Sequence, residues 1–299
     1  ILESIGVAVK WLNQNTLTIT PPKKFILEKI NVESAIKTRS IVMLIGPLIH
    51  KLPSFSLPHS HGCNLGKRTI AAHIYALEKL GIKIKTTAKN YEISAKKLKP
   101  AEIVMYESGD SACENVLTAS ALINGVTKIN FASANYMVQE ICFFLEALGV
   151  KIEGIGTASL TVHGIKEINK NIEYWNSEDP IESMMFISAG IITDSKLTIT
   201  RSPIDFLSLE LEKLKRMNLK YKISKIYHSF NGRTKLVDIE IFPSKLKALN
   251  DKLHSNPYPG INIDNLPFFV PIAIRAKGQT MIHDWVYENR AIYLTELNR

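Results

Sequence analysis

Leu77-Glu78-Lys79-Leu80-Gly81-Ile82-Lys83-Ile84 and Leu145-Glu146-Ala147-Leu148-Gly149-Val150-Lys151-Ile152 are one pattern written twice. Each reads as the end of an amphipathic helix, a left-handed cap on glycine, then a strand with alternating apolar residues. The pattern has two weaker copies. Residues 1–9 run Ile-Leu-Glu-Ser-Ile-Gly-Val-Ala-Val, and residues 214–223 run Leu-Lys-Arg-Met-Asn-Leu-Lys-Tyr-Lys-Ile. The turn residues Gly6, Gly81, Gly149 and Asn218 are 75, 68 and 69 apart. That period is too long for simple helical hairpins and suits a repeated α/β unit of two helices and several strands.

Working outward from the caps fills in each unit. An apolar helix is expected over Ile41–His50 around Gly46-Pro47, followed by a loop, and a second over Ala71–Leu80 with Ile74, Leu77 and Leu80 on one face. Hairpin strands follow at Ile82–Lys85 and Tyr91–Ile93, and a strand at Glu102–Met105. The next unit repeats the order, with helices at Glu114–Leu122 and Tyr136–Leu148 and strands at Thr127–Phe131, Val150–Ile152 and Ser159–Val162. The chain turns polar near Tyr174–Pro180, which predicts a boundary between a first domain, 1–177, and a second, 178–299. The third unit would run from Ile181 to about Phe242, and a fourth begins near Leu266.

The 299 residues are 45% hydrophobic and 22% charged, a globular composition. The excess of 37 basic over 28 acidic residues gives +9. Nucleic acid, a membrane surface and anionic small molecules compete to explain that excess, and the basic residues are spread along the chain without a Lys/Arg block, which counts against nucleic acid. No apolar run reaches membrane-span length and no signal peptide is visible, so no membrane is expected. Cys63, Cys113 and Cys142 have no framework or zinc-ligand spacing, which predicts reduced thiols in a cytoplasmic protein. The chain starts and stops inside patterned stretches, which predicts a piece of a longer one.

Cys63 stands apart from the other two thiols. It lies in His61-Gly62-Cys63-Asn64-Leu65-Gly66-Lys67-Arg68, between glycines and among His59, His61, Lys67 and Arg68. Positive neighbours favour a thiolate, so this cysteine reads as reactive, whereas Cys113 and Cys142 lie in apolar helical patterns and read as packing residues. Arg39 and Arg68 carry forks suited to phosphate. A lone arginine is ordinarily a solvated surface residue. Arg68 also precedes a helix start, where free N–H groups favour an anion.

Arg39 with Gly46-Pro47-Leu48, then Gly62-Cys63-x-x-Gly66-x-Arg68 and His73, resembles the UDP-N-acetylglucosamine enolpyruvyl transferases. So do Asn256-Pro257-Tyr258-Pro259-Gly260 before Asp264, and Glu288-Asn289-Arg290 before Tyr293-x-x-Glu296-Leu297. The spacings agree too: 24 residues from Arg39 to Cys63 and 26 from Asp264 to Arg290. The resemblance spans the chain. It implies an α/β fold of two domains, an inside-out α/β barrel architecture of repeated units, with the site between them.

The implied reaction joins the enolpyruvyl group of phosphoenolpyruvate to the 3′-hydroxyl of UDP-N-acetylglucosamine and releases phosphate, the first committed step of peptidoglycan synthesis. Neither a metal nor an organic cofactor is implied, and a monomer is expected. The resemblance assigns Cys63 to proton donation at the enolpyruvyl carbon and product release, and makes it a target of fosfomycin-type epoxides. It assigns Arg39 and Arg68 to phosphate, with Thr69, Ile70, Asp110 and Ser111 at the nucleotide. His73 is either a further contact or a satisfied core histidine. Asp264 is the candidate base at the sugar hydroxyl, its bland alternative being a turn-forming residue. Arg290 falls at the enolpyruvyl side and Val286 at the wall against the amino sugar.

The chain departs from that family's pattern at Ser60-His61 before Gly62-Cys63, at Asp110–Cys113, at Pro180 and Met184, and at Asn265-Leu266. These touch the nucleotide contacts and the hinge. They keep two rivals open: 5-enolpyruvylshikimate-3-phosphate synthase, which the Gly-Cys loop and Glu-Asn-Arg count against, and a non-catalytic UDP-sugar-binding relative.

Overall fold

The computed structural model describes residues 1–60, 69–287 and 290–297, and Ala291 only in its backbone. After an antiparallel hairpin, β1 (Ala8–Asn13) with β2 (Thr16–Thr20), and the short helix α1 (Val32–Lys37), one sequence of elements recurs. Its order is helix, strand, helix, strand, strand. The first copy is α2 (Ile45–Leu48), β3 (Ser54–Pro58), α3 (Ala71–Lys79), β4 (Ile82–Thr86) and β5 (Asn90–Ala95). After β6 (Glu102–Val104) comes the second: α4 (Asp110–Ser120), β7 (Gly125–Asn130), α5 (Tyr136–Ala147), β8 (Lys151–Glu153) and β9 (Ser159–Gly164). The third is α6 (Pro180–Ile192), β10 (Leu197–Pro203), α7 (Ser208–Arg216), β11 (Lys220–Ile223) and, after the short β12 (Tyr227–His228), β13 (Lys235–Phe242). A shorter run follows, with β14 (Leu253–His254), α8 (Phe269–Arg275), β15 (Ile282–His283) and α9 (Tyr293–Leu297).

The three copies share their sheet topology as well as their order. In each, the last strand lies between the other two and is antiparallel to both: β3-β5-β4, β7-β9-β8 and β10-β13-β11. The caps read from the sequence are left-handed in all four places, with φ of 98° at Gly6, 91° at Gly81, 102° at Gly149 and 72° at Asn218. Glycine adopts this backbone without a Cβ penalty, and asparagine is the usual substitute. The strand after each cap is antiparallel to its neighbour, so the cap sets where the chain leaves the helix layer for the sheet.

Helix α4 lies inside the first core. In α4, Ala112, Cys113, Val116, Leu117 and Ala119 are all buried, and small residues let α2, α3 and α5 approach closely. Gly46 of α2 fits only because it lacks a side chain: a Cβ there would lie 2.3 Å from Thr118 Oγ1 and 2.6 Å from the Asn115 carbonyl. One apolar cluster runs from Ala35 to Val162 and a separate one from Met184 to Ala276. Each fully buried leucine or isoleucine in them contributes roughly 1.5–3 kcal/mol relative to exposure.

Two expectations need correction. Ile41–His50 is not one helix: a 3₁₀ turn, Arg39–Leu44, passes into the four-residue α2. Pro47 has no N–H to donate and its ring resists a longer regular run. The stretch after it is not all loop, because Ser54–Pro58 forms β3. Its Phe55 and Leu57 alternate with serines and pair with Ile93 and Tyr91 of β5. The departure at Pro180 has a structural reading. Asp179 caps α6, accepting from Ile181 N–H at 2.8 Å, and Pro180 takes the first turn, where no N–H is needed. Met184 is buried in the second core.

Candidate active site

Arg39 opens the 3₁₀ turn ahead of α2 and donates from Nη2 to the Thr69 carbonyl at 3.0 Å. Thr69 is exposed just before α3, and its Oγ1 accepts from Ala71 N–H. Ile70 turns its side chain into the first core and is 6% exposed. One turn into α3, His73 is buried between Ser111 Oγ, 3.3 Å from Nε2, and Asn115 Nδ2, 3.2 Å from Nδ1. Burial, and then the charge of Arg39, push its pKa down to about 4. His73 is therefore a neutral, satisfied histidine that ties α3 to α4. Asn115 also donates to the Val42 carbonyl and accepts from Gly46 N–H at 2.7 Å, so one amide joins the turn, α2 and α3.

Asp110 begins α4, one turn ahead of where the sequence placed that helix, and its carboxylate suits the helix's positive end. It accepts from Ser133 Oγ and from Asn135 Nδ2. Ser111 is exposed beside it.

Asp264 and Arg290, 26 residues apart, meet. Arg290 Nη2 is 3.3 Å from Asp264 Oδ1 and also donates to the Ile263 carbonyl. The Arg290 side chain is only 7% exposed, whereas that of Asp264 is 55% exposed, so a buried cation holds a carboxylate that is open to solvent. The turn behind Asp264 is braced by Glu210, a buried carboxylate on α7. It accepts from Asn262 N–H at 3.1 Å and Asn265 Nδ2 at 3.0 Å, and its pKa is raised by burial against those bonds. Asn265, a departure from the expected pattern, is thus a buried brace, and Leu266 belongs to the second core. Val286 is half-buried, two residues beyond Asp284.

The two groups of residues face a shared seam, marked by a residue the sequence reading passed over. Tyr136, the first residue of α5, has its pKa raised by burial first. The charge of Asp179 and a hydrogen bond to it add to that, and then the charges of Asp264 and Asp110. Its ring lies edge-on to Phe206, 5.9 Å between centroids, and Phe206 packs on Tyr258 of the Asn-Pro-Tyr-Pro-Gly stretch. Its only sequence signal was a place in an apolar helical pattern. Cys63 and Arg68 lie outside the described residues. Cys113 and Cys142 are fully buried, as expected, and burial drives both thiol pKa values up, that of Cys113 to about 12.

Fold and seam together define a class: repeated α/β units with buried helices, in two cores that bring acidic and guanidinium groups to a common face. A family model described as EPSP synthase (3-phosphoshikimate 1-carboxyvinyltransferase) matches residues 1–299. The chain belongs to that family. A UDP-N-acetylglucosamine 1-carboxyvinyltransferase of Campylobacter hominis is 31% identical over 100% of this chain, which covers 68% of that protein. One from Helicobacter pylori is 28% identical with the same coverage. Among solved structures, the enolpyruvyl transferase NikO from Streptomyces tendae matches with a TM-score of 0.81 at 18% identity, over 100% of this chain and 68% of its own. An EPSP synthase from Acinetobacter baumannii matches at 0.66 and 19% identity, over 94% of this chain and 63% of its own. At those identities the structures speak for the fold, which is that of the enolpyruvyl transferases, as the repeat and the motifs led one to expect. Among the described residues no helix is long and apolar enough to cross a membrane.

Proposed function

We propose that the protein is a transferase that moves the enolpyruvyl group of phosphoenolpyruvate to the 3′-hydroxyl of UDP-N-acetylglucosamine. The observation that carries this reading is the pairing of solvent-open Asp264 with buried Arg290. A base for the sugar hydroxyl has to be reachable and held in place, and Asp264 is open to solvent with its Oδ1 fixed 3.3 Å from the Arg290 guanidinium. The relatives named for this activity, at about one residue in three identical over the whole chain, support it independently.

In this scheme Asp264 takes the hydroxyl proton as the 3′-oxygen bonds to C2 of phosphoenolpyruvate, while Cys63 delivers a proton to C3. The C2–O bond to phosphate then breaks as a C3 proton returns to the Cys63 thiolate, and the departing inorganic phosphate takes up the proton held by Asp264. Arg39 and Arg68 hold the phosphate and Arg290 lies at the enolpyruvyl side, each by charge-assisted hydrogen bonds. Thr69, the Ile70 backbone, Asp110 and Ser111 line the nucleotide, and Val286 the amino sugar. His73 acts by holding Ser111 in place. The two cores form two domains, 1–177 and 178–299. The setting is a cytoplasmic monomer serving peptidoglycan synthesis.

Phosphate release from the two substrates tests this. It should require both of them and fall by roughly 10²–10⁴ in Asp264→Ala and in Cys63→Ala. A fosfomycin-type epoxide should leave one adduct, on Cys63, with the buried Cys113 and Cys142 untouched. Bound nucleotide sugar without phosphate release would mean a binding protein, and saturation by shikimate 3-phosphate would mean the sister synthase.

A further inference from the structure

Asp284 has no part in the scheme above, yet it holds the residue on which that scheme turns. It follows the short strand β15, and its side chain is 4% exposed. Its Oδ2 is 3.3 Å from Arg290 Nε and accepts from Tyr293 Oη at 3.2 Å. A carboxylate so buried is costly unless a charge and hydrogen bonds compensate it, and Arg290 with Tyr293 provides both at Oδ2, while Oδ1 is buried with no hydrogen-bond partner among the described residues. The Tyr293 hydroxyl answers to the same group. Burial and then the Asp284 charge push its pKa up to about 12, against the pull of Arg290.

The geometry around the guanidinium is asymmetric. Nε meets Asp284, while Nη2 meets Asp264 and the Ile263 carbonyl. Nη1 is buried with no hydrogen-bond partner among the described residues. A guanidinium is planar with five donors in a fixed fork, so fixing Nε and Nη2 fixes the direction of Nη1. The ring of Tyr287 lies 5.7 Å from the guanidinium carbon. With its stem buried and its plane set from one edge, Arg290 has a single orientation to offer.

We propose that Asp284 is the positioning residue of this site. Through Nε it sets the plane of the Arg290 guanidinium, so that Nη2 holds Asp264 at the sugar hydroxyl. Tyr293 restrains Asp284 from the other side. The inference rests on the transferase reading for its catalytic consequence, but not for its geometry. Because Asp284 acts through Arg290 and not on bound nucleotide, its loss is felt at the reacting hydroxyl more than in substrate affinity.

The test has two readouts. The first is the ¹⁵Nε–Hε signal of Arg290, assigned with R290K. It should be protected from exchange in the wild type and in D264N, lost in D284N, and kept in D284E. The second is kinetic: D284N should lower kcat about ten- to a hundredfold and shift KM for the nucleotide sugar by less than about threefold, with D284E recovering most of the rate. A purely structural acid would cost folded protein and leave kcat per folded site unchanged. That result, or a protected Hε in D284N, overturns the proposal. If D284N does not fold, Y293F decides: Hε exchange at least about threefold faster supports the proposal, and an unchanged rate overturns it. If the wild type releases no phosphate, the transferase reading fails, and the Hε signals alone judge Asp284.

Discussion

Glu114 and His73 lie on neighbouring helices, α4 and α3, and are displaced in opposite senses with respect to pH. Burial, and then the charge of Asp110 one turn earlier, raise the Glu114 pKa from 4.5 to about 7. A carboxyl raised in the folded state contributes stability that is whole below about 4.5 and is lost as pH rises through 7. His73, lowered from 6.5 to about 4, contributes stability that is whole above 6.5 and is lost as pH falls through 4. Glu114→Gln removes the first effect alone. The variant should be more stable than the wild type at pH 8 by on the order of 2–3 kcal/mol, and the gap should close below pH 4.5. Thermal melts of both proteins from pH 4 to 8 measure this, and a gap independent of pH would refute the assignment to Glu114. At this scale the sequence was informative where a motif fixed the spacing, as for Asp264 and Arg290. It was silent on Asp284, Tyr136 and Glu210, whose importance comes from burial and from partners 6 to 128 residues away.

At the scale of elements the joint between α2 and α4 shows how the helix layer is closed. Asn115 is buried in α4 and its amide makes the bonds to Gly46, Val42 and His73 described above. Asn115→Ala would leave a buried N–H and a buried carbonyl without partners, at roughly 3 kcal/mol, seen as a lower urea midpoint. Gly46→Ala forces a methyl against Thr118 and Asn115 and should cost about 1–3 kcal/mol. Because both changes strain one contact, the double variant should lose less than the sum, and strict additivity would show that the joint is not a unit. The caps between second helix and strand were legible because a left-handed backbone leaves a local signature in glycine and asparagine. The shape of α2 was not, since the apolar run Ile41–Leu48 suits a continuous helix and a 3₁₀ turn equally well. β3 was missed because Ser-Phe-Ser-Leu is too short to show its alternation until β5 is beside it.

Among the described residues, one stripe of α5 reaches across to the second core. Tyr136, Glu140 and Phe143 recur at helical spacing, with Glu146 at the edge of the same stripe, while Val138, Cys142 and Leu145 turn into the first core. Arg233 pairs with Glu146 at 2.6 Å and covers the Phe143 ring, and Glu140 accepts from both the N–H and the hydroxyl of Ser177. Ser177 is further tied to Thr234 and Asn231, so the polar stretch before α6 is held to both sides. The sequence marked that stretch by its composition, but it could not show that α5 serves as the fastening, because the stripe reads as ordinary amphipathicity until the second core covers it. Glu140→Ala removes a charged acceptor shared by two donors. A hydrogen bond to a charged group is worth about 1.5–3 kcal/mol, which is tenfold or more in the population of a locally opened segment. Proteolytic cleavage within residues 165–179 should accelerate at least about tenfold in this variant while the melting of either core barely moves, because no core residue is touched. Cleavage at the wild-type rate would mean that the linker is held by something other than α5. A global loss of stability would mean that the two cores fold as one.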